Sequence, residues 1–115
     1  MSIWLAAIML LLQTPADLAG AYRTEQMETE AALELNGDGT FRYQLDYGAV
    51  SEAAQGHWTL ADGSIELTSD PLAVELQLEI ERSDAAFDGQ HLSIEDGALV
   101  MRRHDTLFTF YREDP

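Results

Sequence analysis

Apolar and polar residues alternate with a period of two along most of this chain, and four Asp-Gly pairs interrupt the alternation: Asp38-Gly39, Asp62-Gly63, Asp88-Gly89 and Asp96-Gly97. A period of two sends successive side chains to opposite faces of a pleated strand, whereas a helix would repeat every three to four residues. Asp-Gly pairs tolerate the positive φ that tight hairpin turns demand. Met27, Thr29, Ala31, Leu33 and Leu35 share one face opposite Glu28, Glu30 and Glu34, and Phe41, Tyr43, Leu45 and Tyr47 oppose Arg42, Gln44 and Asp46. Trp58 with Leu60, and Ile65 with Leu67, continue the pattern. From Leu72 to Ile80 it is cleanest, with Glu75, Gln77 and Glu79 between apolar neighbours, which reads as a long strand. His91 to Glu95, Ala98 to His104 and Thr106 to Arg112 complete the set. The expectation is an all-β antiparallel meander of eight or nine strands. A sheet with one apolar face must cover it, so the meander closes into a small barrel or folds over into a sandwich. Sequential hairpins wind a barrel most directly.

The first residues follow another rule. Ile3 to Leu12 is an apolar run of ten residues, followed by Gln13-Thr14-Pro15-Ala16. Spanning a bilayer takes about 20 apolar residues, whereas the apolar centre of a secretion signal takes roughly 7 to 15. The run therefore reads as the helix of a signal peptide, although no Lys or Arg precedes it. Thr14 and Ala16 supply the small residues that cleavage requires, giving a signal peptide over 1–16 and a single domain over 17–115 in the periplasm or outside the cell. Ala19 and Ala21 form a second small pair, but a cut there would remove the start of the first strand. With no Cys, the chain has no disulfide, thiol nucleophile or thiolate metal site, and no lipid anchor follows the leader. Its 21 acidic residues against 6 basic ones, all Arg, give a formal net charge of −15. That charge makes nucleic acid and anionic membranes poor partners and suits solubility or a basic protein partner.

Asp17-Leu18-Ala19-Gly20-Ala21-Tyr22, Leu33 to Phe41 with its Asn36-Gly37-Asp38-Gly39 turn, and Gly56-His57-Trp58 together resemble the lipocalin-like small barrels exported by bacteria. The resemblance covers the first half of the domain. It implies that Gly20 bends the chain at the barrel base, that Tyr22 plugs the floor, and that a late-strand arginine, Arg102, Arg103 or Arg112, stacks on that ring. The Ala-Gly-x-aromatic element is also similar to that of periplasmic barrel inhibitors of secreted metalloproteases, which carry a disulfide this chain lacks.

Chemistry-bearing groups are sparse. His57, His91 and His104 have no partner at the i+2 spacing that would put two ligands on one strand face, so no metal centre is expected. Asn36 to Gly39 lacks the alternating oxygen donors of a calcium loop. No serine sits in a Gly-x-Ser-x-Gly elbow, and no carboxylate pair stands out from the acidic background. The chain thus reads as a non-catalytic binding protein that needs no cofactor. Its candidate ligand-binding residues are the aromatics Tyr22, Tyr43, Tyr47 and Trp58, lining a pocket for a small apolar ligand. The alternative is a filled barrel acting as a protein–protein interaction module or as an inhibitor of a basic or secreted partner.

Overall fold

The computed structural model describes residues 14–71, 74–75 and 82–113. A one-turn helix α1 (Pro15–Leu18) leads into β1 (Gly20–Thr24), β2 (Thr29–Leu35), β3 (Thr40–Tyr47), β4 (Val50–Ala61) and β5 (Ser64–Asp70). After a connection come β6 (Ser83–Asp84), β7 (Asp88–Glu95), β8 (Ala98–Arg103) and β9 (Thr106–Arg112). Eight of these strands pair antiparallel with their neighbours, and β1 pairs with β9 to close the barrel. Two-residue β6 adds in parallel to β4 through Glu52↔Ser83 and Ala53↔Asp84. The closed barrel, not the sandwich, is therefore the fold. No helix among the described residues is long and apolar enough to cross a membrane.

The alternation read from the sequence becomes the inside and outside of the wall. Leu33, Leu35, Phe41, Leu45, Ile65, Leu67, Leu92, Leu99, Met101, Phe108 and Phe110 all point inward with at most 1% of their surface exposed. Each such apolar side chain contributes about 1.5–3 kcal/mol by leaving water. Eight strands enclose a lumen just wide enough for side chains to fill.

β4 is the longest strand because it serves two neighbours, pairing with β3 over its first half and with β5 over its second. The two pairings overlap from Gln55 to His57, around Gly56. A Cβ there would lie 2.2 Å from the Thr68 carbonyl oxygen, so only glycine allows β5 to pass so close. Where the first half of β4 has left β5, its free edge takes up β6.

Several expectations are corrected. The reading of Trp58 and Leu60 caught only the end of β4, since Ser51-Glu52-Ala53-Ala54-Gln55 lacks the β-branched and aromatic residues that mark a strand. Met27 does not face the core. It sits in the β1–β2 turn and is 91% exposed. Asp88-Gly89 is not a hairpin turn but the start of β7, where the pairing with β5 shifts register between Leu67 and Thr68. Most of the strand read from Leu72 to Ile80 lies outside the described residues, and its two described members, Val74 and Glu75, are helical. Residues 1–13 of the apolar leader also lie outside them.

Candidate functional site

The two ends of the barrel are closed by different means. At the lower end, α1 lies beside the start of β1, and Leu18 is buried. The Tyr22 hydroxyl donates to the Leu18 carbonyl at 2.6 Å. The Arg112 guanidinium lies over the Tyr22 ring, 5.6 Å from its centroid, and donates to the carbonyls of Asp17 and Ala19. Arg112 is thus the one of the three late arginines that covers this aromatic. Gly20 makes room for it, because a Cβ there would come within 3.1 Å of the guanidinium nitrogens. Burial raises the Tyr22 pKa, and the neighbouring Arg112 charge partly offsets that. Trp58, on β4, donates its indole N–H to the Asn36 carbonyl at 2.9 Å and so ties β4 to the β2–β3 turn.

At the upper end the centre is a carboxylate. Glu52, on the first half of β4, points inward and is only 5% exposed. Arg103, at the end of β8, meets it with two hydrogen bonds, Nε to Oε1 at 2.7 Å and Nη2 to Oε2 at 2.9 Å. The Tyr43 hydroxyl donates to Oε1 at 2.8 Å, and His104 Nε2 lies 3.1 Å from the same oxygen. His104 occupies the β8–β9 turn, where it and Asp105 both adopt positive φ, which aims the imidazole back over the barrel. Burial pushes the Glu52 carboxyl upward, yet the hydrogen bonds from Arg103, Tyr43 and His104 outweigh it and hold the pKa below the usual glutamate range. The Tyr43 phenol moves the opposite way, raised by burial and by the Glu52 charge beside it.

This centre also reaches the connection between β5 and β7. Arg103 Nη2 donates to the Ala85 carbonyl at 2.9 Å, and its guanidinium stacks 4.7 Å from the Phe87 ring centroid. Phe87 is buried edge-on against Tyr43, with centroids 4.8 Å apart, and lies 6.1 Å from Phe41. Arg82 adds a two-pronged ion pair to Asp46, with its closer contact at 2.8 Å. Residues Arg82 to Phe87 thus form a strap across the barrel mouth.

The four aromatics singled out from sequence all line the interior, but each has its own place. Tyr22 and Trp58 serve the lower end, while Tyr43 belongs to the Glu52 centre. Tyr47, partly buried at the upper end, packs edge-on against Phe108 at 5.4 Å, with its hydroxyl 3.4 Å from Thr106 Oγ1. Among the described residues, close ring pairs join Tyr43 to Phe87 and Phe110 and Tyr47 to Phe108, never one of the four to another. One hollow lies instead on the outer wall. It is a furrow of about 490 Å³ whose outward side chains include Arg23, Ala32, Arg42, Gln44 and Gln55. Small alanines between longer neighbours make it concave.

Sequence reasoning singles out neither Glu52 nor Phe87, and names Arg103 only as a candidate to stack on Tyr22. A carboxylate among 21 acidic residues carries no mark of its own. The one usable signal was Glu52 standing at an inward position, in phase with Ala54, Gly56 and Trp58. As an arrangement the centre is a neutralised ion pair with its oxygens saturated, which suits bracing the mouth rather than attacking a bond. Among the described residues no group of three or more His, Asp or Glu is placed to hold a metal ion. Compared with protein-family models, curated proteins and solved structures, the chain gives no match.

Proposed function

We propose that this chain is an exported, non-catalytic binding protein of the lipocalin-like barrel type that meets a basic protein partner through its outer wall. The observation that carries this reading is the filled lumen. Twelve large side chains, among them Tyr22, Phe41, Phe108 and Phe110, are each less than 2% exposed, leaving no ligand-sized space at their level. Binding is then left to the outside. Charge supports the nature of the partner, since Arg82 and Arg103 are engaged at the upper end and Arg112 is folded over Tyr22. With half of the six basic residues so engaged, the acidic excess falls on the outer surface.

The test is native mass spectrometry of the protein taken from its own compartment, compared with the denatured mass. A native mass larger by a whole protein, falling to the bare mass as salt rises from about 50 to about 500 mM, is the expected result, because salt screens exposed charges. An excess of a few hundred daltons would replace this reading with a small-molecule carrier. A denatured mass that begins near Asp17 supports export, and one that retains Met1 refutes it.

A further inference from the structure

Not every core side chain stands on the barrel wall. Most come from the barrel wall, but Leu18 comes from α1, and Ala85 and Phe87 come from the strap. Its attachments include the parallel pairing of β6 with β4 at Glu52 and Ala53, Ala85 N–H to the Ala53 carbonyl at 2.9 Å, the Ser69 N–H and hydroxyl to the Phe87 carbonyl at 2.9 and 3.2 Å, and the Arg103 and Arg82 contacts. The strap's own backbone opposes its position. Ala86, between the two buried residues Ala85 and Phe87, is held at φ 52°, a left-handed conformation that costs a residue with a Cβ roughly 1–2 kcal/mol.

The surfaces beneath Phe87 are carried by wall strands. Tyr43 and Phe41 stand on β3, and Arg103 is fixed by its two-pronged bond to Glu52 from the opposite wall. If Phe87 withdraws, it uncovers an aromatic edge, a guanidinium face suited to a π system and one Arg103 N–H released from the Ala85 carbonyl. Glu52 and Arg103 cancel in charge, so the space favours a neutral occupant. The geometry points to a closed binding site for a neutral planar aromatic molecule bearing a carbonyl, with Phe87 and the Ala85 carbonyl as its built-in substitutes. This goes beyond the outer-wall reading and does not depend on it.

Benzamide is the matching probe, its ring replacing that of Phe87 and its carbonyl oxygen replacing that of Ala85. In two-dimensional amide NMR of the folded chain, benzamide should shift signals around Tyr43 and Arg103. It should also speed hydrogen exchange at Ala85 and Ser69, while Leu33 and Met101 in the wall keep their protection. Phe87→Ala removes the competitor and should tighten benzamide binding tenfold or more. Ala86→Gly relieves the left-handed strain, favours the closed strap and should weaken binding about threefold or more. If Phe87→Ala does not fold, the Ala86→Gly comparison decides alone. Binding that leaves Ala85 and Ser69 exchange unchanged, or that is indifferent to Ala86→Gly, would show Phe87 to be an ordinary core side chain and overturn the inference. So would the absence of binding to the natural sequence.

Discussion

Each end of this barrel is closed by an arginine, but the two arginines do different work. Arg112 at the lower end satisfies backbone carbonyls and covers an aromatic face, with no ion-paired carboxylate among the described residues. Arg103 at the upper end is bound to a buried glutamate and, through it, to a tyrosine and a histidine. An arginine over carbonyls can be lost with local cost, because carbonyls at the rim find water. A buried ion pair cannot lose one partner so cheaply, since the remaining charge stays in a poorly solvated place. The lower end is thus a fixed floor, whereas the upper end depends on charge.

The sharpest way to break the comparison is to remove one charge from each end. Glu52→Ala should lower the unfolding free energy by about 3 kcal/mol, because it leaves Arg103 without its buried partner. Arg112→Met, which keeps most of the packing over Tyr22, should cost only about 1 kcal/mol. Urea unfolding of both variants checks the ranking, and equal losses would mean that the Glu52 pair is not special.

The next effect is acid sensitivity weighted toward the upper end, although the exposed Asp38 carboxyl in the lower β2–β3 turn is lowered too by its bonds from Thr40. The folded-state pKa values of Glu52 and Asp46 both lie below their ordinary ones, Glu52 against burial and through its hydrogen bonds, Asp46 through bonds from Arg82 and Ser51. A carboxyl depressed in the folded state adds stability above its unfolded pKa, near about 4, and loses it as pH falls through the folded value. Stability should therefore drop below about pH 4, and Glu52→Gln should flatten that drop. Alkali should act on both ends. The phenols of Tyr22 and Tyr43 are both raised, so their contribution holds below their unfolded pKa of about 10 and fades as pH rises through the folded values.

The smallest effect concerns the floor. Deleting residues 1–16 removes Thr14 and its bonds to Asp17, but keeps Leu18 beneath Tyr22 and the carbonyls that Arg112 uses. Stability should change by less than about 1 kcal/mol, the usual worth of one helix cap. Deletion through Ala21 takes Leu18, Ala19 and the start of β1 as well, and thermal unfolding should show the much larger loss.

The strand pattern and most turns were open to reading because they are local. The pleat fixes which side chains share a face, and three of the four Asp-Gly pairs mark hairpin turns, at Asp38, Asp62 and Asp96. That was enough for an all-β meander, for the core from Leu33 to Phe110, and for the interior placement of Tyr43, Tyr47 and Trp58. It did not reveal that Gly56 lets β5 pass close to β4, or that Ser51 to Gln55 belongs to a strand, since both follow from how β3 and β5 approach. Nor did it single out Glu52 and Phe87, or give Arg103 its partner. Glu52 and Arg103 lie 51 positions apart in sequence and meet only after barrel closure sets β4 across from β8. Local alternation determined what faces inward, whereas only the register of distant strands decided which carboxylate, cation and ring would share the mouth.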